Sequence, residues 1–258
     1  MKKIVSLLVV LTIFVSCKEE KKQDSREAMK VIQEKKEIDF NDFLVFENSL
    51  MSQNVEGATY NNINFDKYGA VFRKSITSPT YIKIPFSDLI LNDGFNVSFS
   101  FKPIDDDGKK PQSLIAFSDK FSSASRVPFY VYFPANKLSG VYGKQLLWAD
   151  KYNAQYGNSR AYYDSPQLKK DQFYFVSVNF DGASVKIYVN SELYASFEEL
   201  TQHNFKFDHL VIGALVQGDS TSKPFAGNIH GLKIFSKPLS EAEIVGVFNK
   251  QPVLDVEY

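Results

Sequence analysis

The stretch from Phe173 to Ser196, FYFVSVNFDGASVKIYVNSELYAS, constrains the fold more than any other, because its apolar side chains recur at every second position. Tyr174, Val176, Val178 and Phe180 fall on one face of an extended segment, and Val185, Ile187 and Val189 on one face of the next. A helix needs apolar residues three and four apart, and Lys186, Tyr188 and Asn190 would interrupt such a stripe. Asp181-Gly182 supplies a tight reversal, and Asn190-Ser191 starts a second one before Leu193 and Tyr194 resume extended chain. The segment reads as an antiparallel meander. Strands with one apolar face need a second layer to bury it, so the rest of the chain must supply that layer.

The supply is ample. Short β runs are predicted at Tyr68 to Phe72 and at Tyr81 to Ile84, the second ended by Pro85. From Phe95 to Phe101 the alternation is unbroken, with Phe95, Val97, Phe99 and Phe101 on one face and Lys102-Pro103 closing the strand. After the turn Asp105 to Gly108 come Leu114 to Phe117, Phe129 to Phe133, Leu138 to Tyr142, an apolar run from Leu210 to Leu215 around Gly213, and Ile229 to Phe235. One helix is expected near the end: Ser240 is an N-cap, Glu241 and Glu243 occupy the first turn, and Ile244, Val247 and Phe248 share a face. At 258 residues, 23 of them Phe and 14 Tyr, the chain can bury a large aromatic core, which suits pleated surfaces better than helical bundles. About a dozen short strands separated by turns predict an all-β fold, a sandwich or jelly roll of two antiparallel sheets with one short C-terminal helix.

The first residues carry a different signal. Lys2 and Lys3 precede an apolar run from Ile4 to Val15 that stops at Ser16-Cys17, the layout of a secretory signal, and the run is too short to span a bilayer comfortably. Cys17 is the only cysteine, so it forms no internal disulfide. Phe14-Val15-Ser16-Cys17 is similar to a bacterial lipobox, with Phe14 where Leu is usual; the resemblance implies that residues 1–16 are removed and that Cys17 is acylated, palmitate included. The alternative is a plain signal peptide with an incidental cysteine. Two or more acyl chains would hold the protein on a membrane. Lys18-Glu19-Glu20 resembles the short acidic signal that sends some Gram-negative lipoproteins to the outside of the outer membrane. Residues 17–37 are dense in both charges and read as a solvated spacer, and residues 38–258 as the folded domain.

Taken in order, Phe95 to Pro103, Phe173 to Asp181, Val185 to Asn190, Leu210 to Gly213, Phe225 to Ile229 and Ile234 to Ile244 resemble a laminin G-like domain of the concanavalin A-like superfamily. The resemblance spans most of residues 38–258. It implies a jelly roll whose ligands, often sugars and sometimes proteins, meet rim loops or the concave sheet, commonly with bound calcium (Ca2+). This chain departs from the family pattern twice. Asn190-Ser191 stands where Asn-Gly is common, a change expected to cost little, and His230-Gly231 replaces an acidic residue that in many relatives helps hold the metal. Asp39, Asp42 and Glu47 remain as oxygen donors, but calcium takes six to eight oxygens.

Signs of catalysis are weak. Glu37-Ile38-Asp39-Phe40-Asn41-Asp42 comes near the paired-carboxylate pattern of the superfamily's glucanases, but it lies at the domain's first edge and reads more simply as the end of the charged spacer. His203, His209 and His230 lack metal-ligand spacing, and the chain has neither a nucleophile elbow nor a glycine-rich phosphate loop. With 30 basic and 30 acidic residues there is no net charge to attract nucleic acid.

The stretch from Tyr142 to Tyr163 differs from the rest. It holds the chain's one tryptophan, Trp148, with Tyr152, Tyr156, Tyr162 and Tyr163 among Asp150, Asn153 and Arg160. Sugars present apolar faces and hydroxyl edges, so flat rings beside amide and charged groups suit them. Trp148 and Tyr152 are expected to stack on sugar rings while Asp150, Asn153 and Arg160 fix hydroxyls. The alternative places Trp148 and Leu146 in a core strand under a tyrosine-covered loop. Gln217 to Lys223 is a second candidate loop. The expected function is a non-catalytic, surface-anchored lipoprotein that captures a glycan. A module gripping a partner protein, or a divergent glycosidase or lyase, are the alternatives.

Overall fold

A computed structural model of the chain describes residues 38–75, 77–86, 94–104, 111–118, 129–133, 138–142, 145–147, 160–161, 167–198, 207–217 and 220–251. The compact unit opens at Phe40. Its strands, in chain order, are β1 (Leu44–Asn48), β2 (Thr59–Asn61), β3 (Asn64–Asp66), β4 (Gly69–Phe72), β5 (Tyr81–Pro85), β6 (Phe95–Pro103), β7 (Gln112–Ser118), β8 (Phe129–Phe133) and β9 (Ser139–Tyr142). They continue as β10 (Gln145–Leu147), β11 (Arg160–Ala161), β12 (Tyr174–Phe180), β13 (Val185–Val189), β14 (Glu192–Glu198), β15 (His209–Ile212), β16 (Leu215–Gln217), β17 (Ser220–Ser222) and β18 (Gly227–Phe235), before the helix α1 (Glu241–Asn249).

Two large antiparallel sheets form the sandwich. The first runs β11-β14-β13-β12-β6-β18-β4-β3, and β1 pairs with the second half of β18 beyond β4. The second runs β10-β9-β8-β7-β15-β5-β2. The meander of Phe173 to Ser196 is β12, β13 and β14, and its even-numbered face on β12 meets Phe95, Val97, Phe99 and Phe101 of β6 in strict register. The largest fully buried side chains are all phenylalanines, among them Phe72, Phe95, Phe101, Phe117 and Phe180. Rings such as Phe95 and Phe129 meet edge to face at 5.1 Å. Burying each ring contributes about 2 kcal/mol, and this shared aromatic layer is what joins the two sheets.

The outer face of the first sheet is also covered. Asn96, Ser98, Ser177 and Asn179 project away from the core yet are buried, and they satisfy one another: Asn96 Nδ2 donates to Ser177 Oγ (2.7 Å) and Asn179 Oδ1 (2.8 Å), and Ser98 Oγ donates to Asn96 Oδ1 (2.7 Å). Asn179 then fastens the last segment, accepting from Leu239 N (2.8 Å) and donating to Leu239 O (2.5 Å). From there Ser240 caps α1, as its sequence predicts, in a reciprocal box with Glu243, and Ile244 and Val247 pack on Phe175 and Phe235.

One sequence expectation changes. The run Leu210 to Leu215 is not one strand, because Gly213 turns the chain at φ +83° and sends β16 out of the second sheet into a separate hairpin with β17. At Asn190-Ser191 both residues sit at positive φ, 50° and 67°. This is the turn type that matches strand twist, and serine there costs about 1 kcal/mol relative to glycine. Asn190 offsets part of the strain, since its Oδ1 accepts from Phe175 N at 2.9 Å.

Candidate functional site

One side of the sandwich is closed by chain that crosses between sheets. β2 is the last strand of one sheet and β3 the last of the other, and only Asn62 and Ile63 lie between them. The return crossing, Arg73 to Thr80, links β4 to β5 beside it. Neither crossing can continue a ladder, and in the second several backbone groups are met by side chains instead. Thr80 clasps the second crossing at its base: its Oγ1 accepts from Arg73 N (2.7 Å) and donates to Arg73 O (3.0 Å). Ser75 Oγ accepts from Ser78 N (3.0 Å). The two crossings are tied by Asn61 Nδ2 donating to Pro79 O (2.6 Å) and by Asn62 Nδ2 donating to Ser78 Oγ (3.2 Å). Asn62 reaches them from a left-handed φ of +53°, a conformation that asparagine tolerates better than most residues.

Between the crossings lies a cleft of about 470 Å³ lined by Asn62, Asn64, Arg73, Ser75, Ser78 and Thr80, with Ile63 at its apolar side. Among the described residues the lining offers amides, hydroxyls and a guanidinium, and no carboxylate. Such a surface can exchange hydrogen bonds with a polyhydroxylated ligand.

The aromatic segment enters the described structure only at its ends. It leaves the second sheet at its last strand, β10, and returns to the first sheet at its last strand, β11, the strand of Arg160. Trp148, Asp150, Tyr152, Asn153, Tyr156, Tyr162 and Tyr163 lie outside the described residues, as does Cys17. The second candidate loop belongs to the β16–β17 hairpin, where Leu215 and Val216 pack with Ala116, Tyr132 and Val211 over the outer face of the second sheet. Within the loop itself, Ser220 and Ser222 are exposed on β17.

Among the calcium candidates, Glu47 on β1 pairs with Lys233 at 2.8 Å, while Asp39 and Asp42 are exposed ahead of β1. Among the described residues no three His, Cys, Asp or Glu side chains converge as a metal shell requires. His230 lies buried against Phe173, ring centres 5.5 Å apart, and its Nε2 has no hydrogen-bond partner among the described residues. His209 pairs with Asp208. The cleft residues escaped sequence reasoning. The signal available was two polar runs, Asn61 to Asn64 and Arg73 to Thr80, each flanked by strand-forming residues.

A laminin G family model, described as the concanavalin A-like lectin/glucanases superfamily, matches residues 77–245. No curated protein matches the chain in sequence. Similar solved structures include the binding domain of botulinum neurotoxin DC in complex with rat synaptotagmin II, at 13% identity and a TM-score of 0.59, covering 83% of this chain and 53% of that one. The receptor-binding domain of botulinum neurotoxin D is 14% identical with a TM-score of 0.58, covering 83% and 54%. A structure of botulinum neurotoxin type C, whose cell entry depends on interaction with two ganglioside molecules, is 14% identical with a TM-score of 0.56, covering 83% and 52%. The chain thus spans about half the length of these structures, and at such identities the likeness is one of fold.

Proposed function

The chain belongs to the concanavalin A-like lectin/glucanases superfamily, and from that premise we propose that it is a non-catalytic glycan-binding module whose ligand lies in the cleft between the two crossings. The lining of that cleft carries the reading: amide and hydroxyl groups held in place by their own hydrogen bonds beside the Arg73 guanidinium, with no carboxylate among the described lining residues. Preorganised polar groups lose little freedom when a sugar hydroxyl replaces water, which favours binding. The segment holding Trp148 is a second place where such a ligand could stack.

An oligosaccharide array probed with the full chain tests this. Bound oligosaccharides are expected, and Asn64→Trp, which sets a large ring on the exposed β3 edge beside the cleft, should weaken them at least about tenfold, the loss of roughly one to two polar contacts. If Asn64→Trp binds as the parent does while Trp148→Ala loses the ligand, the site belongs to the aromatic segment instead. An array with no bound oligosaccharide would reject the function.

The reading includes a lipid anchor at Cys17, following a removed segment 1–16 and a charged spacer over 17–37, with the domain held at the outer membrane surface. Its support is the layout of the first 20 residues. Among the described residues no helix is long and apolar enough to cross a membrane. Expressed in a Gram-negative host, the chain is expected in the membrane fraction, and Cys17→Ser should move it to the soluble fraction; equal partitioning of both would rule the anchor out.

A further inference from the structure

We propose that the cleft takes an acidic sugar, a uronate whose carboxylate is met by Arg73 without a metal ion; this inference rests on the glycan-binding reading of the same cleft. Most of the lining is already committed to holding the two crossings together. Thr80 Oγ1 is used twice on the backbone of Arg73, Ser75 Oγ accepts from Ser78 N, and the Asn62 amide donates to Ser78 Oγ and to Pro79 O. The guanidinium of Arg73 is not committed. Ion pairs such as Glu47 with Lys233, Glu243 with Lys237 and Asp208 with His209 lie elsewhere and do not involve Arg73. Asn64, also on the lining, makes no side-chain hydrogen bond among the described residues, leaving a second donor available.

A free arginine is common on surfaces. This one differs in two respects. Its backbone is clamped at both N–H and C=O by one threonine hydroxyl, so the side chain departs from a fixed point on the lining of a cleft of about 470 Å³. In addition, no carboxylate among the described lining residues would repel an anion. A guanidinium presents two parallel N–H groups that match the two oxygens of a planar carboxylate, and the pair is stronger than a neutral hydrogen bond. The hydroxyls of the same sugar ring would meet the Asn64 amide and the outward sides of Ser75 and Ser78. Such recognition uses the charge of the protein alone, so a chelator should leave it intact, while salt should weaken it.

The test uses the full chain with matched pairs of oligosaccharides: galacturonate and galactose, glucuronate and glucose, mannuronate and mannose, each titrated with a chelator present. For at least one pair the acidic member is expected to bind about tenfold or more tightly than the neutral one. Arg73→Gln, an exposed substitution whose folding is checked by thermal melting, should bring that ratio to about one. Equal binding of acidic and neutral members by the parent chain would overturn the carboxylate inference while leaving glycan binding standing. Binding of acidic members that needs calcium would overturn it too, and failure to bind any member would overturn both readings.

Discussion

Lowering the pH from 7 to about 4 should cost the fold about 2–3 kcal/mol through His230 alone. His230 stands on β18 opposite Ser100 of β6, almost fully buried, with Phe173 against its ring. Removal from water holds its pKa down at about 4, against 6.5 for a free imidazole. As pH falls through 6.5 the unfolded chain takes up a proton that the folded chain refuses until about 4. Between those values the unfolded state binds more protons, so stability is full above the upper value and declines toward the lower. His230→Leu removes the titrating group. Urea unfolding of parent and variant across pH 7 to 4 should show the parent losing about 2–3 kcal/mol more than the variant. Parallel pH profiles would mean that the imidazole is solvated in the folded protein.

Gly213→Ala should destabilise the chain by about 3–5 kcal/mol or prevent folding. The residue sits at φ +83°, which alanine adopts only with strain, and an added Cβ would lie 2.0 Å from Cδ1 and 2.2 Å from Cε1 of Phe72. Phe72 is fully buried against Phe225 and has nowhere to retreat. The backbone is equally fixed, since Gly213 N donates to Leu114 O at 2.9 Å and its carbonyl accepts from Phe225 N at 2.8 Å. Thermal melting compares the two chains. A change of under about 1 kcal/mol would show that the β15 to β16 turn can relax away from the core.

Much of the fold was legible because it rests on periodicity. The alternation in β6 and β12 places the aromatic core, and Ser240 with Glu243 marks the helix start from two residues. β2 and β3 were not legible, since three-residue strands such as Thr-Tyr-Asn and Asn-Phe-Asp carry too little pattern. The turn at Gly213 was hidden inside an apolar run, because glycine in a strand pattern does not say which way the chain leaves. The cleft was less legible still. Asn62 and Arg73 belong to different connections, and it is the two crossings between sheets that bring them together. His230 shows the same limit: a lone histidine in sequence carries no sign of whether water reaches it.

The most direct test of the central claim is backbone hydrogen exchange of the full chain, with and without the tightest-binding oligosaccharide of the array. Ligand in the cleft should slow exchange across Asn62 to Asn64 and Arg73 to Thr80 while leaving β13 and β14 unchanged. Slowed exchange confined to residues 148–159, or at no segment despite saturating sugar, would contradict the placement of the site.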